Sequence, residues 1–508
     1  MDWRASLLQM KPVEAPRAVR LLGVLATVSL LVALGLGLSR IDATSMWLDE
    51  AYSVVDAQRP WADMLAMRTE RGTSVHPPIY SIALRGMLAT CGVNASCARL
   101  PSVLGAAGAC AVLVMLAGRM FGWVAAFTAA WMWPTLPYLL KYADQARGYT
   151  LLLLLSAVAI ACGARVLGFW GAPRWRRAAS WGLALSVASM VGMHLLAATF
   201  VVPLAAALWL LTRGRDARAR KELLRATVLA ALFILPLAIA VGVAVTGDDT
   251  ARFASAPGAA KGLKRMSHAL VSLAEYTWTT PVLLGSALLL TPGRRRGLVA
   301  LGLLVALLPV VPLLVRAPSH FIVLRYFFPS VGVVGILACA GVAALAAAPG
   351  RLPQRWTGRV PTMILLGLGL MLGAAPSRML GQQHTTKLRK RARGGSFEPW
   401  DQASAWIAER SEPGALIVMV PHEILWPTLR VYPVDGAEVV SDDPQALLSR
   451  LRDDEPSQVF VVWSHISTKQ RQTALNRVMR TMGRARYRPR GNEVFGRRAI
   501  IVKEYRGR

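Results

Sequence analysis

Residues Leu21 to Leu38 read Leu-Leu-Gly-Val-Leu-Ala-Thr-Val-Ser-Leu-Leu-Val-Ala-Leu-Gly-Leu-Gly-Leu, and the next landmark along the chain is Met46-Trp47-Leu48-Asp49-Glu50-Ala51-Tyr52-Ser53. The first stretch carries no charge. It is long enough to cross a hydrocarbon core, which takes about 20 apolar residues as a helix. It has no convincing small-residue cleavage site, so it reads as a retained first helix rather than a signal peptide. The second stretch sets two adjacent carboxylates between aromatic residues, at the depth where such a helix leaves the bilayer. Trp47 and Tyr52 fit the aromatic belt of a membrane interface. The two stretches together describe a chain whose solvent is lipid, with acidic groups at its edge.

The composition of the whole chain agrees. Of its 508 residues, 54% are hydrophobic and only 17% charged, whereas a soluble surface needs about a quarter charged residues. The net charge of +30 could suggest nucleic acid, but it lies mainly between apolar runs and in a basic C-terminal tail, so no nucleic-acid partner is expected. Further apolar runs cover Pro101 to Leu116, Val124 to Leu140, Tyr149 to Leu167, Ala226 to Val245, Leu298 to Val315, Tyr326 to Ala348 and Val360 to Leu380, with a weaker one at Thr277 to Leu290. Ala178 to Thr212 is too long for one span and has arginines on both flanks, which predicts two helices with a break near His194.

Together these make about eleven spans, and arginine clusters fall in alternate loops, as the positive-inside rule requires. The expected fold class is an all-α polytopic membrane domain over residues 1–380, with a large first outside loop at 40–100. A small extracytoplasmic α/β domain is expected over 381–508. In that tail Asp401 to Glu409 and Thr468 to Met482 have helical spacing, and Ala415 to Val420 and Val459 to Trp463 are β-rich runs. The basic run Lys387 to Arg393 runs against this orientation, and anionic headgroups are its expected partner.

Several loop residues could carry chemistry. Asp49 and Glu50 beside an apolar layer suit a catalytic acid or base, the alternative being a solvated loop pair. His76-Pro77-Pro78-Ile79-Tyr80 offers a histidine that could touch substrate or simply neighbour a helix start, followed by an amphipathic helix with Ile79, Ile82, Ala83 and Met87 on one face. Cys91 and Cys97 are the only pairable cysteines, in a loop expected to be oxidising; two reduced thiols are the alternative. Asp144 and Arg147 lie in one outside loop, and His320, Arg325 and Tyr326 in another. Arginine at a boundary either snorkels or binds a phosphate bidentately.

As a set, Trp47-Leu48-Asp49-Glu50-Ala51-Tyr52-Ser53, His76-Pro77-Pro78-Ile79-Tyr80, Ala98-Arg99-Leu100-Pro101-Ser102, Ala146-Arg147-Gly148-Tyr149 and Leu324-Arg325-Tyr326-Phe327-Phe328-Pro329 resemble the bacterial C-type (GT-C fold) membrane glycosyltransferases. These are related to protein O-mannosyltransferases and the lipid A aminoarabinose transferase. The resemblance covers about the first 350 residues in order and spacing. It implies an inner or plasma membrane enzyme with its site facing outside the cytoplasm. Such an enzyme moves a sugar, mannose or another hexose or pentose, from a polyprenyl-phosphate donor to a glycan, lipid or protein acceptor. It implies Asp49 as the catalytic residue with Glu50 beside it, and Arg147, Arg325 and Tyr326 at the donor phosphate. Tyr52, His76 and Asp144 are further candidate substrate contacts. Relatives carry an acid two positions before the loop arginine, where this chain has Gln145 and keeps Asp144 one step earlier.

No cofactor is required by these residues, and a divalent metal near Asp49, Glu50 and His76 is neither required nor excluded by their spacing. A polytopic transporter or lipid flippase is the rival class. It would be expected to show paired internal repeats with interrupted helices, and the sequence has none.

Overall fold

The structure is a computed structural model that describes residues 13–42, 44–66, 68–69, 72–73, 77–213, 217–245, 279–291, 294–308, 328–347, 399–420, 422–464, 469–495 and 500–507. The expected span Val360 to Leu380, the basic run Lys387 to Arg393, and His76, His320, Arg325 and Tyr326 lie outside the described residues. The chain divides into two compact units.

In the first unit the described apolar runs become helices, several of them extending beyond the apolar run at one or both ends. They are α1 (Pro16–Leu38), α4 (Ala95–Phe121), α5 (Trp123–Thr135), α6 (Pro137–Ala143), α7 (Tyr149–Val166), α8 (Arg176–Met193), α9 (Ala198–Leu211), α10 (Ala217–Val245), α11 (Thr279–Leu290), α12 (Arg294–Leu307) and α13 (Phe328–Ala347). Among the described residues five helices are long and apolar enough to cross a membrane: α1, α4, α7, α13 and residues Ala217–Ile239 of α10. On α1 the side chains of Leu21, Val24, Val28 and Leu31 are exposed, and lipid is the solvent that can cover such a stripe. Helix α13 is the opposite case, buried along most of its length. It packs against α5, α7, α11 and α12. Its small residues allow this: a Cβ on Gly335 would overlap the Trp133 ring, and one on Gly332 would lie 2.8 Å from Leu153 Cδ1. Close approach at glycine is a common way for helices to associate in lipid.

Two of the expected runs are interrupted. Between Ala178 and Thr212 the helix stops at His194, with φ −157° and ψ 118°, and restarts through a short 3-10 turn capped by His194 Nδ1, which accepts from the Leu196 N–H at 3.2 Å. This break is where the flanking arginines required it. The run Val124 to Leu140, read as one span, is instead two helices, α5 and α6. Leu136 between them is extended, with ψ 115°. The cause is Pro137, which disfavours helical geometry at the residue before it and has no N–H to continue the ladder.

The second unit gathers residues Ser39–Arg59 and Leu84–Arg99 with the chain after Gly381. The loop 40–100 is divided between the units, with Pro60–Ala83 in the first and Ser39–Arg59 and Leu84–Arg99 in the second. Its helices are α2 (Leu48–Gln58) and α3 (Ile79–Cys91), the latter starting in the first unit and ending in the second. Cys91 and Cys97 are joined as a disulfide, with Cα atoms 6.0 Å apart.

The C-terminal part has α14 (Trp400–Ala408), β1 (Leu416–Val420), α15 (His422–Val431), β2 (Glu438–Val440), α16 (Pro444–Asp453), β3 (Gln458–Ser464), α17 (Lys469–Arg484), β4 (Arg488–Phe495) and β5 (Ile500–Arg506). The strands form one mixed sheet in the order β2-β1-β3-β5-β4. The pairs β1/β2 and β1/β3 are parallel, and β3/β5 and β4/β5 antiparallel. One face, with Ile417, Met419, Phe460 and Val502, packs under Trp400, Ile407 and Leu425; the other, with Leu416, Val418 and Val461, packs under Leu447, Leu451, Val478 and Met482. Every residue of β1 is buried, as expected of a strand covered on both sides. Helix α2 packs against α15, with Leu48 joining that core.

Candidate active site

The loop after α1 ends at Trp47, where α2 begins. The start has a local cause: Glu50 Oε2 accepts from the Trp47 N–H at 3.1 Å, satisfying a donor that a helix N-terminus would leave open. The helix ends at Arg59 because Pro60 follows. Asp49, Glu50 and Tyr52 are thus on one helix of the second unit, Asp49 and Tyr52 partly exposed and Glu50 1% exposed.

Glu50 is paired with Arg99. Its Oε1 receives Arg99 Nε at 2.8 Å and its Oε2 receives Nη2 at 2.9 Å, a fork-to-fork contact of the strong bidentate kind. Arg99, 0% exposed, also donates from Nη1 to the carbonyls of Ile41 and Thr44, both at 2.8 Å, and from Nη2 to that of Ser45 at 3.2 Å. The same loop is held from the C-terminal part of this unit. Tyr432 Oη accepts from the Met46 N–H at 2.8 Å and from Ser45 Oγ at 3.3 Å, and the Asp401 N–H donates to Ser45 Oγ at 3.3 Å. Burial pushes the Tyr432 phenol above its ordinary range, against the lowering effect of the hydrogen bonds it accepts.

In the first unit the loop between α6 and α7 carries Asp144 and Arg147. Asp144 is 4% exposed and Arg147 half-buried. The backbone of Arg147 is fixed by Ser102, whose hydroxyl donates to the Arg147 carbonyl at 2.8 Å and accepts from its N–H at 3.4 Å. Thr150 Oγ1 donates to the Ser102 carbonyl at 2.7 Å. Around this loop the motif residues pack on one another. A Cβ on Gly148 would lie 3.2 Å from the Tyr80 ring. Phe328 stacks on Tyr138 at 4.8 Å and meets Tyr142 edge-on at 5.0 Å, with Tyr149 at 6.2 Å.

Four of the five motifs therefore have residues gathered in this unit, through Tyr80, Ser102, Gly148 and Phe328. The Ala-Arg-Leu-Pro-Ser motif serves a loop in each unit, Arg99 in the second and Ser102 in the first. Sequence reasoning quoted that motif but assigned it no role. The signal was an arginine placed at the head of an apolar span, where charge is costly unless partnered.

Among the described residues no group of three or more His, Cys, Asp or Glu side chains is gathered to hold a metal. An apolar cavity lined by residues such as Phe121, Ile160, Leu204, Leu301 and Leu337 includes none of the candidate site residues that the structure describes.

Long apolar helices around a small-residue central helix describe a multi-pass membrane protein. The chain matches the crystal structure of ArnT from Cupriavidus metallidurans in the apo state with a TM-score of 0.60 and 15% identity, covering 94% of this chain and 97% of that one. The ArnT structure bound to undecaprenyl phosphate matches with a TM-score of 0.57 at the same identity and coverage. No protein-family model matches the chain, and no curated protein matches it.

Proposed function

We propose that the chain is a membrane glycosyltransferase that moves a sugar from a polyprenyl-phosphate donor to an acceptor hydroxyl outside the cytoplasm. The observation that carries this reading is the ArnT fold over 94% of the chain, in a protein whose motifs fall in the order and spacing of that family. That ArnT itself is found with undecaprenyl phosphate supports the donor class.

The reaction is a single displacement. The acceptor oxygen forms a bond to the anomeric carbon while the bond from that carbon to the donor phosphate oxygen breaks, and Asp49 takes the acceptor proton. The lipid phosphate leaves carrying its electron pair. Arg147 and Arg325, with Tyr326, hold the charge that develops there, a role suited to guanidinium forks. The clasp of Ser102 on the Arg147 backbone supports this role, because a phosphate ligand must be held before charge develops. Tyr52, His76 and Asp144 are the candidate contacts to the sugars.

Purified protein given a polyprenyl-phosphate sugar and a membrane extract tests the proposal. Wild type transfers sugar, and Asp49→Asn, which keeps size and hydrogen bonding but not the proton acceptor, lowers turnover by roughly 10² to 10⁴ with donor binding intact. Wild-type-like transfer by Asp49→Asn would sink the catalytic assignment. Absence of transfer by wild type from any such donor would favour a transporter.

A further inference from the structure

We infer that Glu50 is a positioning residue rather than a second catalytic carboxylate, and that the Glu50–Arg99 pair with Tyr432 forms a buried clamp that sets the loop and helix start presenting Asp49. The inference rests on the glycosyltransferase reading only for what the clamp positions; the clamp itself is a matter of geometry.

The capacity of each group decides the assignment. A guanidinium has five N–H donors. Arg99 spends one on Glu50 Oε1, one on Glu50 Oε2 and the other three on the carbonyls of Ile41, Thr44 and Ser45. No donor remains for a substrate phosphate. Glu50 accepts both arms of that fork and the Trp47 N–H as well, so both of its oxygens are committed to the protein. A carboxylate enclosed in this way has no route to an acceptor hydroxyl.

Asp49 is the next residue on the helix, and consecutive helical residues point about 100° apart. Fixing Glu50 inward therefore turns Asp49 to a different side, where it is partly exposed. The backbone at Ile41, Thr44, Ser45 and Trp47 is held by these groups, and the Tyr432 hydroxyl closes the set on Met46 and Ser45. One charge pair thus does for a loop what a second loop would otherwise have to do, and the acidic pair divides into a residue that reacts and a residue that holds.

Two readouts on the full-length protein in detergent or nanodiscs test this. The first is amide hydrogen exchange over residues 41–50, which needs no activity. Arg99→Lys, which keeps the charge but loses the fork, and Tyr432→Phe, which loses only a hydroxyl, each speed exchange at Met46 and Trp47 by about tenfold or more; Asp49→Asn does not. Unchanged exchange in both clamp variants overturns the inference, whether or not the protein transfers sugar.

The second readout is the pH dependence of transfer. Glu50→Gln and Tyr432→Phe lower kcat by roughly 10- to 100-fold through misplacement, with donor affinity and the shape of the pH profile kept, whereas Asp49→Asn removes the limb that reports the base. Loss of that limb in Glu50→Gln would give Glu50 the catalytic role and overturn the inference. If wild type transfers nothing while the exchange pattern appears as stated, the glycosyltransferase reading fails and the clamp stands.

Discussion

At the scale of single residues, the loops that carry the candidate site residues are held by side chains that bind backbone. Ser102 is the plainest case: one hydroxyl both donates to and accepts from Arg147, and the residue is fully buried. Ser102→Ala takes the hydroxyl partner from the Arg147 carbonyl, while the Arg147 N–H keeps the Gln145 carbonyl at 2.8 Å, at a cost of about 1 to 3 kcal/mol. The expected result is a lower thermal unfolding midpoint in detergent together with weaker binding of a polyprenyl-phosphate sugar. An unchanged midpoint and affinity would mean that the loop is held elsewhere. Residues of this kind were only half legible in the sequence. Asp49 and Glu50 announced themselves as charges beside an apolar run, but nothing local distinguished them. The distinction lies in Arg99, far along the chain, and pairing across that distance leaves no mark in spacing.

At the scale of elements, periodicity and punctuation were good guides wherever local chemistry was sufficient. The apolar runs that the structure describes became helices, the arginine flanks around Ala178 to Thr212 located the break at His194, and the β-rich runs at Ala415 and Val459 became β1 and β3. Pro137 was an equally local signal for the break at Leu136, and reading Val124 to Leu140 as one span overlooked it. Strand β4 was not readable in any such way. It is an edge strand exposed over nearly its whole length, so its residues Arg488, Pro489 and Arg490 follow solvent and edge protection rather than a buried alternation. The packing of α13 gives a direct test of element-level reasoning. Trp133 is 0% exposed and its ring occupies the space beside Gly335. Gly335→Ala should therefore cost about 1 to 3 kcal/mol by overpacking. Adding Trp133→Phe should recover part of that loss, because the two changes share one contact. Simple additivity of the two losses in thermal unfolding would count against the contact as the cause.

At the scale of the whole molecule, the alternation of arginine-rich loops leads to a topology prediction, with the loop 40–100 and the C-terminal α/β part outside the cytoplasm. A membrane-impermeant thiol probe on intact cells should label Ser449→Cys, whose position is exposed on α16, and should reach Arg218→Cys at the head of α10 only after permeabilisation. The reverse pattern would invert the protein.

The second unit is built from segments separated by most of the membrane helices, and this has a consequence for timing during synthesis. Asp49 emerges among the first residues of the chain, and Arg99 soon follows. Tyr432, which closes the clamp on Met46, is made only after every described helix of the first unit. Because a chain is synthesised from its N-terminus at about 5 to 20 residues per second, the loop bearing Asp49 waits tens of seconds for its last tie. Biosynthesis itself thus works as a delay, since the tie from Tyr432 to Met46 is made only after the helices between them.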